Sequence, residues 1–534
     1  MQIWIEGHEC GYELECLTKL FFQAEKLPVI TVSGMPEAFS GEDKDSLYAG
    51  AIGMTHQELV EHEKELYQDV TFLPDTRQAQ GHQCDICSNR EFCAAHYRLV
   101  VRLCYRGTQS MQTRYIVTKP GMFEKSMEYH FGQMVYDLMR EATGLTPPWG
   151  ILTGVRPVKL VRRCLDMGMN EQQAADYLEK RYVSSHKIQL ALDTARKERR
   201  MLQKVEPMSY SLYVSIPFCP SRCSYCSFVS HSIEKAGKLV EPYLQLLCAE
   251  LEETAKVADS LGLRLSTIYI GGGTPTTLTA QQLRQLTDTI SRCYPVEKAL
   301  EYTIEAGRPD TIDEEKLKVI GEAGATRISI NPQTLNDQVL KNIGRKHTAQ
   351  DILDCITLAR KLGFSNINCD LIAGLNGETP QSFRETVDRL TAVAPENITV
   401  HTLSVKRAAR LRQEGEYLEA VHNPAAEMIE YAQQKLGEEG YIPYYLYRQR
   451  DTLGNLENTG YCKPGREGYY NVFIMEEVQT ILAVGAGATT KLRHPHGEEI
   501  ERIFNFKYPY EYINRFEQIL ERKKQVVKFY ERVL

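Results

Sequence analysis

Tyr213-Val-Ser-Ile-Pro-Phe-Cys219-Pro-Ser-Arg-Cys223-Ser-Tyr-Cys226 is the stretch on which the reading of this 534-residue chain turns. A short apolar run leads straight into a loop that carries three thiols at x3-x2 spacing. Three thiolates in so short a loop can ligate three corners of one iron–sulfur cube. The fourth iron then stays open to an outside ligand, as a catalytic metal keeps an open position. The spacing differs from the paired C-x2-C of zinc ribbons. A zinc knuckle with a distant fourth ligand, or three inert thiols, are the other readings of these residues alone.

Outward from this loop the chain has a clear rhythm. Apolar or β-branched runs at Leu212–Ile216, Thr267–Ile270, Tyr302–Glu305, Arg327–Ile330, Asn366–Ile372 and Ile398–Leu403 alternate with amphipathic stretches. Those stretches are Val240–Leu261, Ala280–Cys293, Glu314–Ala323, Ala349–Leu362 and Pro380–Val393. Parallel strands need helical crossovers, so the alternation predicts a parallel α/β sheet. The period alone allows either a partial barrel or an open, doubly wound sheet. In both, chemistry belongs in the loops after the strand C-termini.

The flanks read differently. Arg98–Tyr105 and Thr113–Val117 predict a hairpin, and Lys125–Thr143 and Asn170–Gln203 predict helices, so residues 1–205 form an expected N-terminal α+β domain. The barrel or sheet is expected over 206–407. Residues 408–534 form a mixed extension, expected to cover substrate, with Tyr441–Tyr447, Gly468–Tyr470, the turn Gly485-Ala-Gly-Ala488 and a helix from about Pro509.

Composition narrows the function. The chain is 43% hydrophobic and 25% charged, which is globular rather than fibrous or disordered. A net charge of −7 argues against bulk nucleic-acid binding. No apolar run is long enough to span a bilayer, and Met1–Glu6 lacks the basic and apolar regions of a secretory signal. With 15 Cys and no export signal, the expectation is a cytoplasmic protein with reduced thiols. A second group, Cys84-Asp-Ile-Cys87 with Cys93 and with His82, His96 and Cys104 nearby, is open to three readings: a zinc knuckle, an auxiliary cluster or free thiols.

C-x3-C-x2-C after the first strand resembles the signature of radical S-adenosylmethionine (SAM) enzymes. Gly271-Gly-Gly-Thr-Pro275, Glu305, Asn331-Pro-Gln-Thr334 with Gly344-Arg-Lys-His347, and Asp370-Leu-Ile-Ala-Gly-Leu375 fall at the following strand ends. In this order and spacing they resemble the oxygen-independent coproporphyrinogen III oxidase family. The long N-terminal region, Leu152-Thr-Gly-Val-Arg-Pro-Val-Lys159 and the tail resemble its HemZ branch. The resemblance implies a partial (β/α)6 barrel of TIM type, a [4Fe–4S] cluster and SAM, and a 5′-deoxyadenosyl radical as the reacting species. It implies no catalytic side chain beyond the cofactors.

By the same resemblance Cys219, Cys223 and Cys226 are the cluster ligands, and Tyr213 and Tyr225 pack beside SAM. Gly272, Gly273 and Thr274 offer backbone to the amino and carboxylate groups of SAM, since glycine lets a backbone approach a ligand closely. Glu305 takes the ribose or amino end. Gln333, Arg345, Asp370 and Ser404 stand around SAM, and Gly485–Ala488 resembles a segment near a second ligand.

The implied substrate is coproporphyrinogen III, oxidatively decarboxylated to protoporphyrinogen IX in haem biosynthesis with electrons from a flavodoxin or ferredoxin. Its four propionates call for cations. Candidates are Arg156, Lys159, Arg162, Arg163, Arg308, Lys346, Lys406, Arg407 and Arg410, with Lys406-Arg407 favoured at the rim. Two departures stand out. The oxidases proper carry a further Cys where this chain has Phe228. The related haem chaperones carry a His-Asn…Tyr-Trp segment where this chain has Tyr470-Asn-Val-Phe473. The alternative reading is therefore a haem-binding chaperone without decarboxylase activity.

Overall fold

In a computed structural model the described residues are 2–6, 11–18, 21, 29–32, 95–105, 108–118, 123–154, 156–226, 230–404, 424–449 and 452–534. They divide into two compact units, Met1–Gly154 with Arg163–Ile188, and Val155–Arg162 with Gln189–Leu534. Cys84, Cys87, Cys93 and His82, and also Phe228, Lys406, Arg407 and Arg410, lie outside the described residues.

The first unit holds a four-stranded sheet in the order β2-β1-β3-β4, with β1 Gln2–Glu6, β2 Val29–Val32, β3 Ala95–Tyr105 and β4 Thr108–Thr118. The hairpin is longer than the sequence predicts, with all eleven residues of each strand in antiparallel register. Phe131, Met134, Val135, Leu138 and Met139 of helix Phe123–Thr143 pack with Leu14, Leu17, Val101 and Leu103 into one small core. The single helix expected over 170–203 is two, Glu171–Glu179 and Ser185–Leu202. Tyr182, at φ 60, breaks it, because a left-handed residue cannot continue a right-handed helix.

The second unit is built on an eleven-stranded sheet. Six strands, β5 Ser209–Ile216, β8 Arg264–Gly272, β9 Glu301–Gly307, β10 Arg327–Ile330, β11 Ile367–Ala373 and β12 Asn397–Thr402, coincide with the six predicted runs. Between β5 and β8, Phe218–Cys219 (β6) pairs with His231–Ser232 (β7) as a separate two-stranded bridge. The six main strands lie side by side in chain order and all run parallel. A doubly wound sheet reverses its strand order at a switch point. This one does not, and the fold is the partial (β/α)6 barrel.

The C-terminal strands extend the same sheet at both edges. β13 Ile442–Arg448 and β14 Glu457–Cys462 continue it beyond β12. β15 Thr480–Val484 runs parallel to β5, followed outward by β16 Thr489–Arg493 and β17 Ile500–Phe504. No edge of a catalytic strand is left bare, which removes a template for unwanted pairing.

Alternation along the strands sorts side chains to two faces. Leu212, Val214, Ile216, Ile268, Ile270, Tyr302, Ile304 and Ile328 turn outward into the large core beneath the helices. The intervening positions, among them Ser211, Tyr213, Thr267, Tyr269, Glu301, Glu305, Arg327, Asn368, Asp370 and His401, line the inner face. Many bond one another there, as Ser211 does Thr267 at 2.7 Å and Thr399 does Asn368 at 3.2 Å. Three of the crossover helices start on capping boxes, Thr279 with Gln282, Thr348 with Asp351 and Thr379 with Ser382, which fix where those strand-end loops stop. Among the described residues no helix is long and apolar enough to cross a membrane.

Candidate cluster and cofactor site

The cysteine loop leaves β5 at the C-terminal end of the sheet, and the β6–β7 bridge closes its base. Ser224 N–H donates to Ile343 O at 3.1 Å, and Ser221 Oγ to Gly344 O at 3.0 Å. Arg308, 3% exposed, holds the loop from the other side. Its Nη1 donates to Ser221 Oγ at 2.8 Å and to Ser221 O at 3.2 Å. Its Nε and Nη2 form a fork on Asp310 at 2.9 and 2.7 Å, and His347 Nδ1 lies 3.5 Å from the same carboxylate. Burial alone would raise the Asp310 carboxyl, but hydrogen bonds from His347 and Arg308 hold it well below the usual range. Asp310 therefore carries the charge that keeps Arg308 in place.

Thr274 Oγ1 donates to Cys219 Sγ at 3.5 Å. Burial pushes the Cys219 thiol up, so a thiolate there calls for a neighbouring cation, which iron supplies. None of the three cysteines is in a disulfide. Among the described residues no three His, Cys, Asp or Glu side chains converge as ligands of a single ion must. A cube does not require this, because each thiolate meets its own iron.

The Gly271–Thr274 segment forms a shelf against the loop. Gly273 N–H donates to Ile216 O, and Thr274 N–H to Phe218 O, both at 2.7 Å. A Cβ on Gly273 would stand 2.5 Å from Phe218 O and 3.0 Å from Cys219 Sγ, so only glycine fits beside the thiol. Gly272 has φ 106, which side-chain-bearing residues rarely adopt.

Glu305 lies two residues before the end of β9, beside this shelf, and a Cβ on Gly271 would stand 3.0 Å from its carboxyl carbon. Tyr269 Oη donates to Glu305 Oε1 at 2.5 Å. Burial raises the Glu305 carboxyl from 4.5 to about 7; the Tyr269 bond and Arg327 oppose the rise and Asp370 adds to it. Tyr213, opposite Tyr269 in register, completes a ring stack with Tyr269 and Tyr470, whose own centroids lie 4.4 Å apart.

Gln333, Arg345 and Asp370 meet at the adjoining strand ends. Gln333, at φ 68, is pinned to β11 by bonds from its N–H to Asp370 O at 2.8 Å and to its O from Ile372 N–H at 3.0 Å. Arg345 Nη1 donates to Asn331 O at 2.5 Å and Nη2 to Tyr225 Oη at 3.4 Å, so Tyr225 and Arg345 stand together beside the cysteine loop. Burial raises the Asp370 carboxyl, but His401 and Asn368, whose Nδ2 donates at 2.8 Å, bring it below the usual range. Ser404 lies just past β12, bridged to Thr452. Gln333 Oε1, Asn331 Oδ1 and Arg345 Nε are buried without a protein partner. Unsatisfied buried polar atoms are costly, and here they stand beside the glycine shelf and the thiols, so these residues fit a polar cofactor next to a cluster.

The proposed substrate cations fare differently. Arg308 is consumed by Asp310 and Ser221, which removes it as a propionate partner. Arg156 pairs with Glu477 at 2.9 Å, Arg162 with Glu476 and Glu198, and Lys346 with Glu234 at 3.1 Å. The Gly485–Ala488 turn is held from within: Glu250 Oε2 accepts Gly485 N–H at 2.8 Å, and Tyr243 Oη accepts Ala486 N–H at 2.9 Å. Sequence reasoning assigns no site role to Tyr269, His401 or Asp310, and it brings in Tyr470 and His347 only as members of quoted motifs. Only the inward register of β8 and β12 could have pointed to Tyr269 and His401.

The radical SAM superfamily model matches residues 213–390, which span the cysteine loop, the shelf, Glu305 and Asp370. The oxygen-independent coproporphyrinogen-III oxidase-like protein HemZ of Bacillus subtilis (strain 168) is 39% identical over 436 residues, covering 80% of this chain and 86% of that protein. The chain belongs to the radical SAM superfamily, in the coproporphyrinogen III oxidase-like family. Within this family the heme chaperone HemW of the same organism is 34% identical over 282 residues, 52% of this chain and 70% of its own. Coproporphyrinogen III oxidase (HemN) from Escherichia coli, described as a radical SAM enzyme, superposes with a TM-score of 0.47 at 23% identity over 60% of this chain and 71% of that one. As a radical SAM protein the chain uses a [4Fe–4S] cluster and SAM. The family spans oxidase-like and chaperone members, and its theme is tetrapyrrole or haem.

Proposed function

We propose that this protein oxidatively decarboxylates a porphyrinogen without oxygen, with coproporphyrinogen III as substrate and protoporphyrinogen IX as product. In each event a hydrogen atom passes from the propionate β-carbon to the abstractor, CO2 leaves, the one remaining electron passes to a one-electron acceptor outside the chain, and a vinyl group remains. When bound, the cluster and SAM supply a carbon-centred hydrogen abstractor, because the hard chemistry belongs to the cofactor.

In this reading Cys219, Cys223 and Cys226 hold the cluster. Gly272, Gly273 and Thr274 bring backbone against SAM, and Glu305, held by Tyr269, meets a polar or cationic end of it. Tyr213, Tyr225, Gln333, Arg345, Asp370 and Ser404 wall the same space. Burial of these groups strengthens each contact and keeps water from a reactive centre. The electron source expected for such a cluster is a flavodoxin- or ferredoxin-type carrier.

Tyr470 carries the choice of decarboxylase over chaperone. It occupies the stretch where the related chaperones offer an imidazole, and it is buried at 4% against Tyr269 instead. That supports a closed, aromatic-walled reaction chamber rather than a haem-ligating segment. The test is anaerobic reconstitution, then incubation with SAM, reductant and coproporphyrinogen III with mass detection. Appearance of protoporphyrinogen supports the reading. No product together with stoichiometric haem binding would replace it with the chaperone reading.

A further inference from the structure

At the opposite end of the barrel, where β5 and β15 begin, lies a pocket of 180 Å³. Ser209 opens β5, and at about 3.3 Å per residue it is roughly 25 Å from the end of that strand, where the cysteine loop starts. Ser209, Gln479, Thr480, Arg493 and His494 line the pocket.

Arg493 is the unexplained group. It closes β16, and its backbone N–H donates to Thr480 Oγ1 at 3.0 Å. Its Nη1 is buried and has no hydrogen-bond partner. Among the described residues no ion pair is formed by its guanidinium. Glu206, also in the lining, is taken by Arg264 at 3.0 Å. Arg493 as a whole is half-buried. A guanidinium presents five donors in a fork, so leaving one of its nitrogens buried without a partner is costly. Other donors stand around it. His494 Nδ1 accepts the backbone N–H of His496 at 3.0 Å, which leaves Nε2 as the ring's N–H donor. Tyr530 shares a 2.6 Å hydrogen bond with Thr480 Oγ1 on the pocket wall. A water occupies about 30 Å³ of liquid, so the space exceeds what one or two waters need and suits a group of several heavy atoms.

We propose that Arg493 and the polar starts of β5 and β15 form a second binding site, for a small oxyanion that is a carboxylate or a phosphate. The guanidinium fork matches the two oxygens of either group. The site is independent of the cluster, of SAM and of the porphyrinogen reading.

The experiment is calorimetric melting of the full-length, cluster-loaded chain in sodium phosphate and in sodium succinate, each against sodium chloride at equal ionic strength. A saturable rise of at least 2 °C with one or both probes is expected, and the two arms tell phosphate from carboxylate. R493M should abolish the rise while melting no lower than wild type in chloride, because it removes a buried donor that has no partner. R493K keeps the charge but loses the fork and should weaken half-saturation at least fivefold. Absence of a saturable rise with both probes overturns the proposal, as does an equal rise in R493M. It also fails if R493M melts markedly lower in chloride or does not fold, since the guanidinium would then serve the fold alone.

Discussion

Tyr269 and Glu305, diagonal neighbours on adjacent parallel strands, share a 2.5 Å hydrogen bond in which the phenol donates to the carboxyl. Burial nevertheless leaves that carboxyl near pH 7. The protonated form is the one the folded state favours. Its stabilising contribution is whole below the unfolded value of 4.5 and is lost as pH rises through about 7. In cofactor-free protein, wild type should therefore lose on the order of 2 kcal/mol relative to E305Q between pH 5 and 8. Urea melts of both proteins across that range check it; parallel stability curves would refute it. Y269F removes a bond that lowers the carboxyl, and should shift the wild-type decline to higher pH.

Arg308 and Asp310 make a bidentate pair that also grips Ser221 in the cysteine loop. R308A leaves the partly exposed Asp310 carboxylate without its fork and frees the loop. We expect a loss of about 1.5–3 kcal/mol in folding stability, the scale of hydrogen bonds to a charged group. Iron and sulfide content after reconstitution should fall severalfold. Full iron loading of R308A would show that the loop holds its own shape.

Gly273 is defined by space. An added methyl meets two carbonyl oxygens, of Ile216 and Phe218, and the Cys219 sulfur, all within 3.0 Å. G273A should cost about 2–3 kcal/mol through forced displacement and lower the cluster yield sharply. Gly437, inside helix Ala425–Glu438, has nothing within 4 Å of such a methyl. G437A should be neutral or stabilising by up to about 1 kcal/mol. Equal effects in the two variants, measured by chemical denaturation, would contradict this contrast.

C223A removes a buried thiol that the site reading places on an iron. Reconstituted protein should hold less than a tenth of the wild-type inorganic sulfide and show no SAM cleavage, while the cofactor-free melt stays within a few degrees. Retained cleavage would transfer the ligand role elsewhere.

Much of the second unit was legible beforehand because two local signals coincide. The period-2 runs Leu212–Ile216 and Tyr302–Glu305 mark strands, and Thr-x-x-Gln at Thr279–Gln282 marks a helix start. Their alternation requires parallel pairing. What escaped depends on contacts that no period carries. Tyr470 reaches Tyr269 from a helix late in the chain, and His347 reaches Asp310 from the next strand-end loop. The expected propionate partner Arg308 looked free only because Asp310, two residues on, gives no sequence sign of bending back to it. The long helix over 170–203 failed at Tyr182, a residue whose left-handed backbone composition does not announce.

The grip of Arg308, Gly344 and Ile343 on the cysteine loop is made wholly of protein atoms. On the proposed reading, the thiols then sit in a socket whose shape does not depend on the inorganic part. Loss of iron and sulfide in air would leave those contacts in place, which predicts a chain that reloads, once its sulfurs are reduced again, without being refolded.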